Sequence, residues 1–227
     1  MRALVTGANR GIGLELVRQL RARGDTVDAA CRRPEDAAEL RALAGPELRV
    51  HRCDVSDDAS VRAFAAELGD AAIDLVVNNA GISGGSHQSL RDLDFADAVR
   101  TYQVDALGPL RVAIALLPHV RRGTGKKLVA ITSGLGSIAD NRSGGFYGYR
   151  MAKAALNMMA KNLAVELRGD GIVSIVVNPG WVQTDMGGRN AAVPAADSVR
   201  GILGIIDAAS LETSGEFFDW KGGRYPW

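Results

Sequence analysis

The sequence predicts an α/β fold in which helices cover both faces of a doubly wound parallel sheet. Short apolar runs alternate with longer amphipathic segments along the chain. Most of the apolar runs are continuous rather than alternating, which is typical of parallel strands that are buried on both faces. The 227 residues contain no long linker and no repeat, so one domain over residues 1–227 is expected.

The apolar runs predict six strands, and the amphipathic segments predict the helices that connect them. The predicted strands are Ala3–Val5, Thr26–Cys31, Leu48–His51, Ile73–Val77, Lys127–Thr132 and Ile172–Val177. The predicted helices are Gly11–Arg23, Glu35–Leu43, Ser56–Leu68, Phe95–Leu117, Tyr149–Leu167 and Asp197–Ser210. This strict alternation favours right-handed crossovers between parallel strands.

Three polar residues refine these elements. We expect Ser56 to cap the third helix, and Asp197 or a residue just before it to cap the last. Asp28 lies inside the second apolar run, where we expect a solvated or hydrogen-bonded carboxylate near the sheet edge.

The charge balance and the cysteine content exclude several classes of protein. Lys and Arg number 27 and Asp and Glu number 26, so no basic excess points to a nucleic-acid partner. Cys31 and Cys53 lack CxxC spacing and the three histidines lack metal spacing, so neither a disulfide framework nor a metal site is expected. No apolar run reaches the roughly 18 residues of a membrane span, and the amino terminus lacks a signal-peptide pattern. We therefore expect a cytoplasmic protein.

A glycine-rich segment, Thr6–Gly13, follows the first strand and opens the first helix. Gly7 permits a tight turn, Gly11 lets the backbone approach a pyrophosphate, and Gly13 allows the helix to pack closely on the strand. The helix amino terminus offers free N–H groups to the anion, with Asn9, Arg10 and Ile12 beside it. The alternative is an ordinary turn between a strand and a helix.

The end of the second strand indicates which dinucleotide is preferred. An acidic residue there would bind the ribose 2′-hydroxyl of NAD(H), but this chain has Cys31-Arg32-Arg33 instead. Arg10 and Arg32 are placed to hold a 2′-phosphate by charge-assisted hydrogen bonds, whereas Arg33 is expected to be a solvated surface charge. NADP(H) is therefore favoured, and NAD(H) is the alternative.

Several motifs together resemble the short-chain dehydrogenase/reductase family. They are the TGxxxGxG turn at Thr6–Gly13, Asn78-Asn79-Ala80-Gly81, Ser133, the YxxxK motif at Tyr149–Lys153, and Asn178-Pro179-Gly180 with Thr184. Their order is that of the family, and they span nearly the whole chain. Three further segments, at residues 147–158, 178–188 and 217–227, are similar to the C-factor-like and carbonyl-reductase-like branch.

The resemblance implies a Rossmann-type sheet of order 3-2-1-4-5-6-7 and a catalytic set. Tyr149 and Lys153 are four residues apart and share one helix face. Tyr149 would exchange a proton with the substrate oxygen, Lys153 would stabilise the phenolate and hold the nicotinamide ribose, and Ser133 would bind the carbonyl oxygen. A packed helix tyrosine and lysine are the alternative. Tyr147 has Met151 four residues later, so it lacks the matching lysine.

The resemblance also implies which residues surround the cofactor and how the chain assembles. Asp54 and Val55 would border the adenine, Asn78, Ala80 and Gly81 the ribose and nicotinamide, and Pro179, Gly180, Val182 and Thr184 the carboxamide and pyrophosphate. Asn78 could instead be a simple turn residue. Members of the family often pair through the two long apolar helices, so a homodimer or homotetramer is expected.

One position departs from the family pattern. The helix before Ser133 usually carries an asparagine that supports a water leading from the lysine to solvent, and here Asp105 occupies that place. An ionised aspartate can only accept hydrogen bonds, and its charge would raise the pKa of Lys153. The hypothesis is that Asp105 preserves the relay with a changed pH dependence.

The sequence thus predicts an NADP(H)-dependent enzyme that interconverts a small aldehyde or ketone with its alcohol. Tyr149 follows Ser133 by sixteen positions, which indicates a small insertion near Asp140–Ser143 at the mouth of an open, permissive pocket. Trp181 would wall that pocket or only pack, and His87 is expected to be a plain loop residue. The alternatives are a cofactor-binding signalling or regulatory protein with weak or no catalysis, and a structural oligomer with an inactive pocket.

Overall fold

The computed structural model describes all 227 residues, and its seven strands form one parallel sheet. The strands are β1 (Arg2–Thr6), β2 (Thr26–Cys31), β3 (Leu48–Arg52), β4 (Leu75–Asn78), β5 (Lys127–Ile131), β6 (Val173–Asn178) and β7 (Phe217–Asp219). They pair in the order 3-2-1-4-5-6-7. The predicted fold class and strand order are confirmed. Each of the six predicted strands begins and ends within two residues of the corresponding observed strand.

Seven helices surround the sheet. They are α1 (Gly11–Ala22), α2 (Ala38–Ala42), α3 (Asp58–Glu67), α4 (Phe95–Tyr102), α5 (Gly108–Arg122), α6 (Tyr147–Glu166) and α7 (Ala195–Ala208). None of them combines the length with the apolar character that a membrane span requires.

Two predicted helices are wrong as single elements. A π-helical turn, Gln103–Leu107, divides the predicted helix 95–117 into α4 and α5. Pro109 has no N–H to donate to the carbonyl of Asp105 four residues earlier, so one hydrogen bond of a regular α-helix is missing where the π turn lies. The predicted helix 35–43 is a 3₁₀ turn, Pro34–Asp36, followed by the short α2, since Ala37 has a non-helical backbone.

The predicted helix caps also need correction. Asp57, not Ser56, caps α3 by accepting a hydrogen bond from the N–H of Ala59 at 3.0 Å. Ser56 instead donates from its N–H and its hydroxyl to one oxygen of Asp54. Helix α7 begins after Pro194 without a side-chain cap.

The core lies in two layers, one on each face of the sheet. Because side chains alternate along a strand, Ala3 and Val5 of β1 pack with apolar residues of α1 and α7. Leu4 faces the opposite side and packs with apolar residues of α3 and α5. The expectation of helices on both faces is confirmed. The helices cover the faces of the sheet and leave the carboxyl ends of its strands uncovered.

Asp28 is fully buried and hydrogen-bonded on the strand next to the sheet edge, so the hydrogen-bonded alternative is confirmed and the solvated one is wrong. Strand β2 lies between β1 and β3, and the carboxylate accepts hydrogen bonds from Arg2 at 2.6 Å and from His51 at 2.9 Å. The other ring nitrogen of His51 lies 2.8 Å from Glu67. Burial opposes the ionised form, but the bonds from His51 and Arg2 hold the pKa of Asp28 below its usual value.

Candidate active site

A cavity of about 1210 Å³ opens at the carboxyl edge of the sheet. The turn after β1, the ends of β2, β4 and β5, and the segment that follows β6 line it. Open α/β sheets bind their ligands at this edge. Ser133, Tyr149, Lys153 and Asp105, the four predicted catalytic residues, all border this one cavity.

The glycine turn has the shape of an anion cradle. Gly7 and Gly11 have φ angles of +63° and +54°, in the left-handed region that favours glycine. A Cβ on Gly7 would lie 2.8 Å from the Cα of Ala80, and one on Gly13 would overlap the carbonyl oxygen of Gly7. The first turn of α1 has no acidic residue and no side-chain cap, so its N–H groups remain free for a phosphate. These features fit a dinucleotide.

The structure places nearly all the predicted cofactor residues on the cavity wall. They are Gly7, Asn9, Arg10, Gly11, Ile12, Arg32, Asp54, Val55, Ala80, Gly81, Tyr149, Lys153, Pro179, Gly180, Val182 and Thr184. Two of the predicted residues, Gly13 and Asn78, do not line the cavity. Gly13 packs behind the turn, as its role in helix–strand packing requires, and Asn78 is buried at the end of β4.

Asn79 lines the cavity instead of Asn78, and sequence reasoning missed its role. Its side-chain amide donates to the carbonyls of Thr6 and Gly7, at 2.9 and 3.2 Å. The Thr6 hydroxyl accepts from the N–H groups of Asn79 and Ala80, both at 3.1 Å. These bonds fix the glycine turn against the end of β4. The Asn-Asn doublet signalled such a contact but not which of the two makes it.

The two arginines predicted to hold a 2′-phosphate differ in their surroundings. Arg32 lines the cavity and has no carboxylate within ion-pair distance. Arg10 also lines it but lies 3.1 Å from Asp185, in an exposed pair. Arg33 also lines the cavity, but its side chain is 72% exposed and pairs with Asp36 at 3.1 Å. The guanidinium of Arg32 is therefore free of a carboxylate partner, whereas that of Arg10 is already paired.

Lys153 and Asp105 form a buried ion pair at the floor of the cavity. Lys153 Nζ lies 3.1 Å from Asp105 Oδ2, and the two side chains are 5% and 0% exposed. Lys153 also donates to the carbonyl of Ile131, and Asp105 accepts from the N–H of Ile82 at 2.8 Å. Burial alone would lower the pKa of Lys153, but the charges of Asp105 and then Tyr149 raise it above its ordinary value.

The π turn explains how Asp105 reaches this position. Its extra residue per turn directs the side chain of Asp105 inward to the lysine on α6. The same pair shows that the predicted interaction between Asp105 and Lys153 is present. The sequence indicated the pair by resemblance, while the π turn was not foreseen.

Ser133 and Tyr149 are held in place by backbone contacts. Ser133 Oγ accepts from the N–H of Leu135 at 3.1 Å, which leaves its own hydrogen free to donate. Tyr149 is half-buried, and its N–H donates to Gln88 Oε1 at 3.0 Å. Lys153 Nζ lies 5.5 Å from the centre of the tyrosine ring. The i, i+4 spacing therefore puts the ammonium beside the phenol ring.

Gln88 is a further residue that sequence reasoning missed. It is buried, and its amide donates to the carbonyls of Ser83 and Gly85 while its oxygen holds the start of α6. It thereby joins the loop after β4 to the helix that carries Tyr149. A single glutamine in a loop offered no motif by which to find it.

The segment where the sequence predicts an insertion lines the cavity. Asp140, Arg142 and Ser143 line it, as do Phe146 and Trp181. Trp181 is 59% exposed and donates from its ring N–H to the carbonyl of Gly187, so it is a wall residue rather than a core one. His87 lies outside the cavity, 3.4 Å from Asp92, as expected for a plain loop residue.

The order of the strands, the glycine turn and the tyrosine–lysine pair at one edge define a dehydrogenase of the Rossmann type. Residues 1–193 match the family described as short chain dehydrogenase. The chain belongs to that family, and it is an NAD(P)-dependent oxidoreductase.

Individual relatives agree with this assignment. The chain is 49% identical over 167 residues to the C-signal of Myxococcus xanthus, covering 74% of this chain and 100% of the relative. It is 36% identical to the 1-hydroxy-2-glutathionyl-2-methyl-3-butene dehydrogenase of Rhodococcus sp. (strain AD45), covering 99% and 98% of the two chains. The crystal structure of an NADPH-bound carbonyl reductase from chicken fatty liver superposes with a TM-score of 0.93 at 34% identity, covering 100% and 98%.

Proposed function

We propose that the protein uses NADP(H) to interconvert a small ketone or aldehyde and its alcohol. The observation that carries this proposal is that Ser133, Tyr149 and the buried Lys153 border the same cavity as the glycine turn. The relative from Rhodococcus is named as the dehydrogenase of a hydroxy compound and the chicken protein as a carbonyl reductase, which supports both directions of the reaction.

Each residue has a separate role in carbonyl reduction. The nicotinamide, when bound, supplies a hydride to the carbonyl carbon. The Ser133 hydroxyl donates a hydrogen bond to the carbonyl oxygen and stabilises the negative charge that develops there. Tyr149 donates its phenolic proton to that oxygen as the C=O π bond breaks, and the alcohol forms.

Lys153 and Asp105 control the charge around the tyrosine. The ammonium stabilises the phenolate that remains after proton transfer, and solvent then returns a proton to Tyr149. In alcohol oxidation the phenolate takes the proton from the hydroxyl group instead. Asp105 and the carbonyl of Ile131 fix the position of Lys153, so its charge stays beside the phenol ring.

The preference for NADP(H) rests on the end of β2. Arg32 faces the cavity without a carboxylate partner, and Arg10 flanks it from the glycine turn. The chicken carbonyl reductase is described as NADPH-bound, which supports the same choice. Asp54, held by Ser56 through one carboxylate oxygen, retains its other oxygen for the adenine amine.

A thermal unfolding experiment tests the cofactor assignment. Ligand at 100 times its dissociation constant stabilises a protein by about 2.7 kcal/mol, a melting shift of roughly 5–10 °C at this size. We expect this shift with NADPH and a much smaller one with NADH at equal concentration. In Arg32→Gln the NADPH shift should fall to the NADH level, whereas Arg33→Gln should retain it. A larger shift with NADH would refute the role of Arg32.

Asp105→Asn is expected to stay active and to move the pH–rate profile for alcohol oxidation toward lower pH. The charge of Asp105 helps to raise the pKa of Lys153, and without it the ammonium lies beside the phenol ring with no counter-charge to offset it. The amide oxygen can retain the bond from Ile82. Asp70→Asn, on the exposed surface, is the control. Profiles that superpose for wild type and Asp105→Asn would contradict this role of Asp105.

We also propose self-association through the exposed apolar faces of α4 and α6. Phe95, Val99, Met151, Met158 and Val165 are each more than half exposed there. Such a patch is typical of an interface. Light scattering after size exclusion should give a dimer or tetramer, and Met158→Asp should weaken it more than Leu90→Asp, a control in a loop. A monomeric wild type would refute the proposal.

A second candidate function follows from the relative named C-signal. In it, the bound dinucleotide would set the shape of a signalling or regulatory protein, and turnover would be weak or absent. A cytoplasmic location stays a prediction for either function. Both cysteines are buried free thiols, which fits a reducing compartment.

A further inference from the structure

On the cavity wall every carboxylate has a hydrogen-bonding or ion-pair partner, but some of the arginines have no carboxylate partner. Five carboxylates line the cavity, and each one has a partner. The pairs are Asp36 with Arg33, Asp54 with Ser56, Asp105 with Lys153, Asp140 with Tyr225, and Asp185 with Arg10. The wall also carries three arginines without a carboxylate within ion-pair distance, namely Arg32, Arg142 and Arg150. Arg32 is assigned to the 2′-phosphate of the cofactor, so Arg142 and Arg150 are the two arginines that still have no role.

Arg142 and Arg150 line the cavity on segments next to Tyr149, and a substrate that contacts this tyrosine lies near them. Arg150 directly follows Tyr149 on α6, and Arg142 lies in the segment that precedes this helix. Leu135, Ser143 and Tyr149 also line the cavity, and Arg150 contacts the first two of them. An anion bound here would therefore belong to the substrate and not to the dinucleotide.

The surroundings of Arg150 leave its guanidinium undersatisfied. One terminal nitrogen donates to Ser143 Oγ at 2.9 Å, and the other lies 3.4 Å from the carbonyl oxygen of Leu135. Its Nε is buried and has no hydrogen-bond partner. All of its acceptors are neutral, so the protein itself does not compensate the charge. Guanidinium groups bind carboxylates with paired, charge-assisted hydrogen bonds.

Asp140 does not fill this role. Its carboxylate accepts the hydroxyl hydrogen of Tyr225 at 2.7 Å, and this bond, with burial, raises the pKa of Tyr225 to about 12. Tyr225 therefore remains a donor to Asp140 throughout the neutral range. The carboxylate is directed to the tyrosine, and neither arginine lies within 4.0 Å of it.

We propose that Arg142 and Arg150 form an anion subsite that selects carbonyl substrates bearing a carboxylate group. The proposal rests on the proposed reductase function and specifies its substrate class. The carboxylate would neutralise the two unpaired cations and fix the orientation of the carbonyl group toward Tyr149 and Ser133. A neutral substrate of the same size would leave both arginines without a counter-ion.

Matched substrates test the subsite. The ratio of kcat/KM for 3- and 4-formylbenzoate to that for their methyl esters is measured with NADPH. We expect wild type to favour an acid over its ester about tenfold or more, the scale of one charge-assisted hydrogen bond. Arg142→Met, Arg150→Met and the double variant should reduce this ratio, mainly through KM. Arg62→Met removes an exposed, unpaired arginine of α3 and should leave the ratio unchanged. Equal activity on acid and ester, or equal losses on both in the variants, would overturn the subsite.

A binding measurement separates failure of the subsite from failure of the enzyme assignment. 4-Methylbenzoate and 4-methylbenzamide contain no reducible carbonyl of the substrate kind, and both are titrated into the NADP⁺-loaded protein by calorimetry. If wild type reduces none of the formylbenzoates or their esters, the reductase proposal fails. The subsite is still supported if the benzoate binds more tightly than the benzamide and the double variant loses this difference. Equal binding of the two probes would overturn it independently of turnover.

Discussion

Tyr149→Phe is expected to lower kcat for carbonyl reduction by about 10²–10⁴-fold, the usual contribution of a general acid. The substitution removes only the phenolic hydroxyl and keeps the ring beside Lys153, where the ammonium lies 5.5 Å from the ring centre. Because the glycine turn and Arg32 are untouched, the melting shift with NADPH should match that of wild type. Steady-state kinetics and thermal unfolding of the same preparation measure both effects.

The matched control is Tyr147→Phe. Tyr147 lies two residues before Tyr149, about half a helical turn, is not part of the cavity wall, and has Met151 rather than a lysine four residues later. Its variant should retain the wild-type rate. A Tyr149→Phe protein that keeps its rate would contradict the assigned proton transfer. Loss of turnover with a surviving biological effect would favour the signalling function.

Local sequence patterns were enough to predict the scaffold of the site. Continuous apolar runs identified the parallel strands, since burial on both faces requires them. Gly7 and Gly13 are required because a Cβ at either position would clash with neighbouring atoms. Such a steric requirement is visible in the sequence as the spacing of the glycines. The four-residue spacing of Tyr149 and Lys153 likewise depends only on helix geometry.

Other parts of the site depend on contacts between distant segments. The π turn at Asp105 lies just before Pro109 and carries an ion pair to a helix much later in the chain, and hydrophobic periodicity does not record such a turn. Gln88 acts through three backbone partners that only the folded chain assembles. Asn78 and Asn79 are chemically identical, so only the direction of β4 at its end could decide between them.

The buried network around Asp28 is the clearest case of a feature that pattern reasoning could not resolve. Its partners, Arg2, His51 and Glu67, come from β1, β3 and α3. A lone aspartate in an apolar run shows only that something must satisfy it. In the structure Arg2 and His51 hydrogen-bond to Asp28, and Glu67 hydrogen-bonds to His51. Loss of the Asp28 carboxylate is therefore expected to reduce stability strongly.

Asp28→Asn is expected to lower the free energy of unfolding by about 3–5 kcal/mol, the cost of removing one partner from a buried charge pair. Asp28 is fully buried and His51 is 6% exposed, so water cannot replace the lost carboxylate charge. Asp207→Asn is the control, because Asp207 forms an exposed pair with Arg23 and should contribute under about 1 kcal/mol. Urea unfolding at pH 6 and a fixed protein concentration measures both. Equal losses in the two variants would contradict the network.

The same network predicts a pH dependence with a definite sign. Burial lowers the pKa of His51, but its hydrogen bonds to Asp28 and Glu67 outweigh burial and raise it above the ordinary value of about 6.5. The folded state therefore binds a proton more tightly than the unfolded chain, so the stabilisation is complete below about pH 6.5 and is lost as pH rises through the raised pKa. Relative to His51→Gln, wild type should be more stable at pH 6, and its advantage should shrink by pH 9. An advantage that grows with pH would show that His51 is neutral in the folded protein and that Arg2 alone balances Asp28.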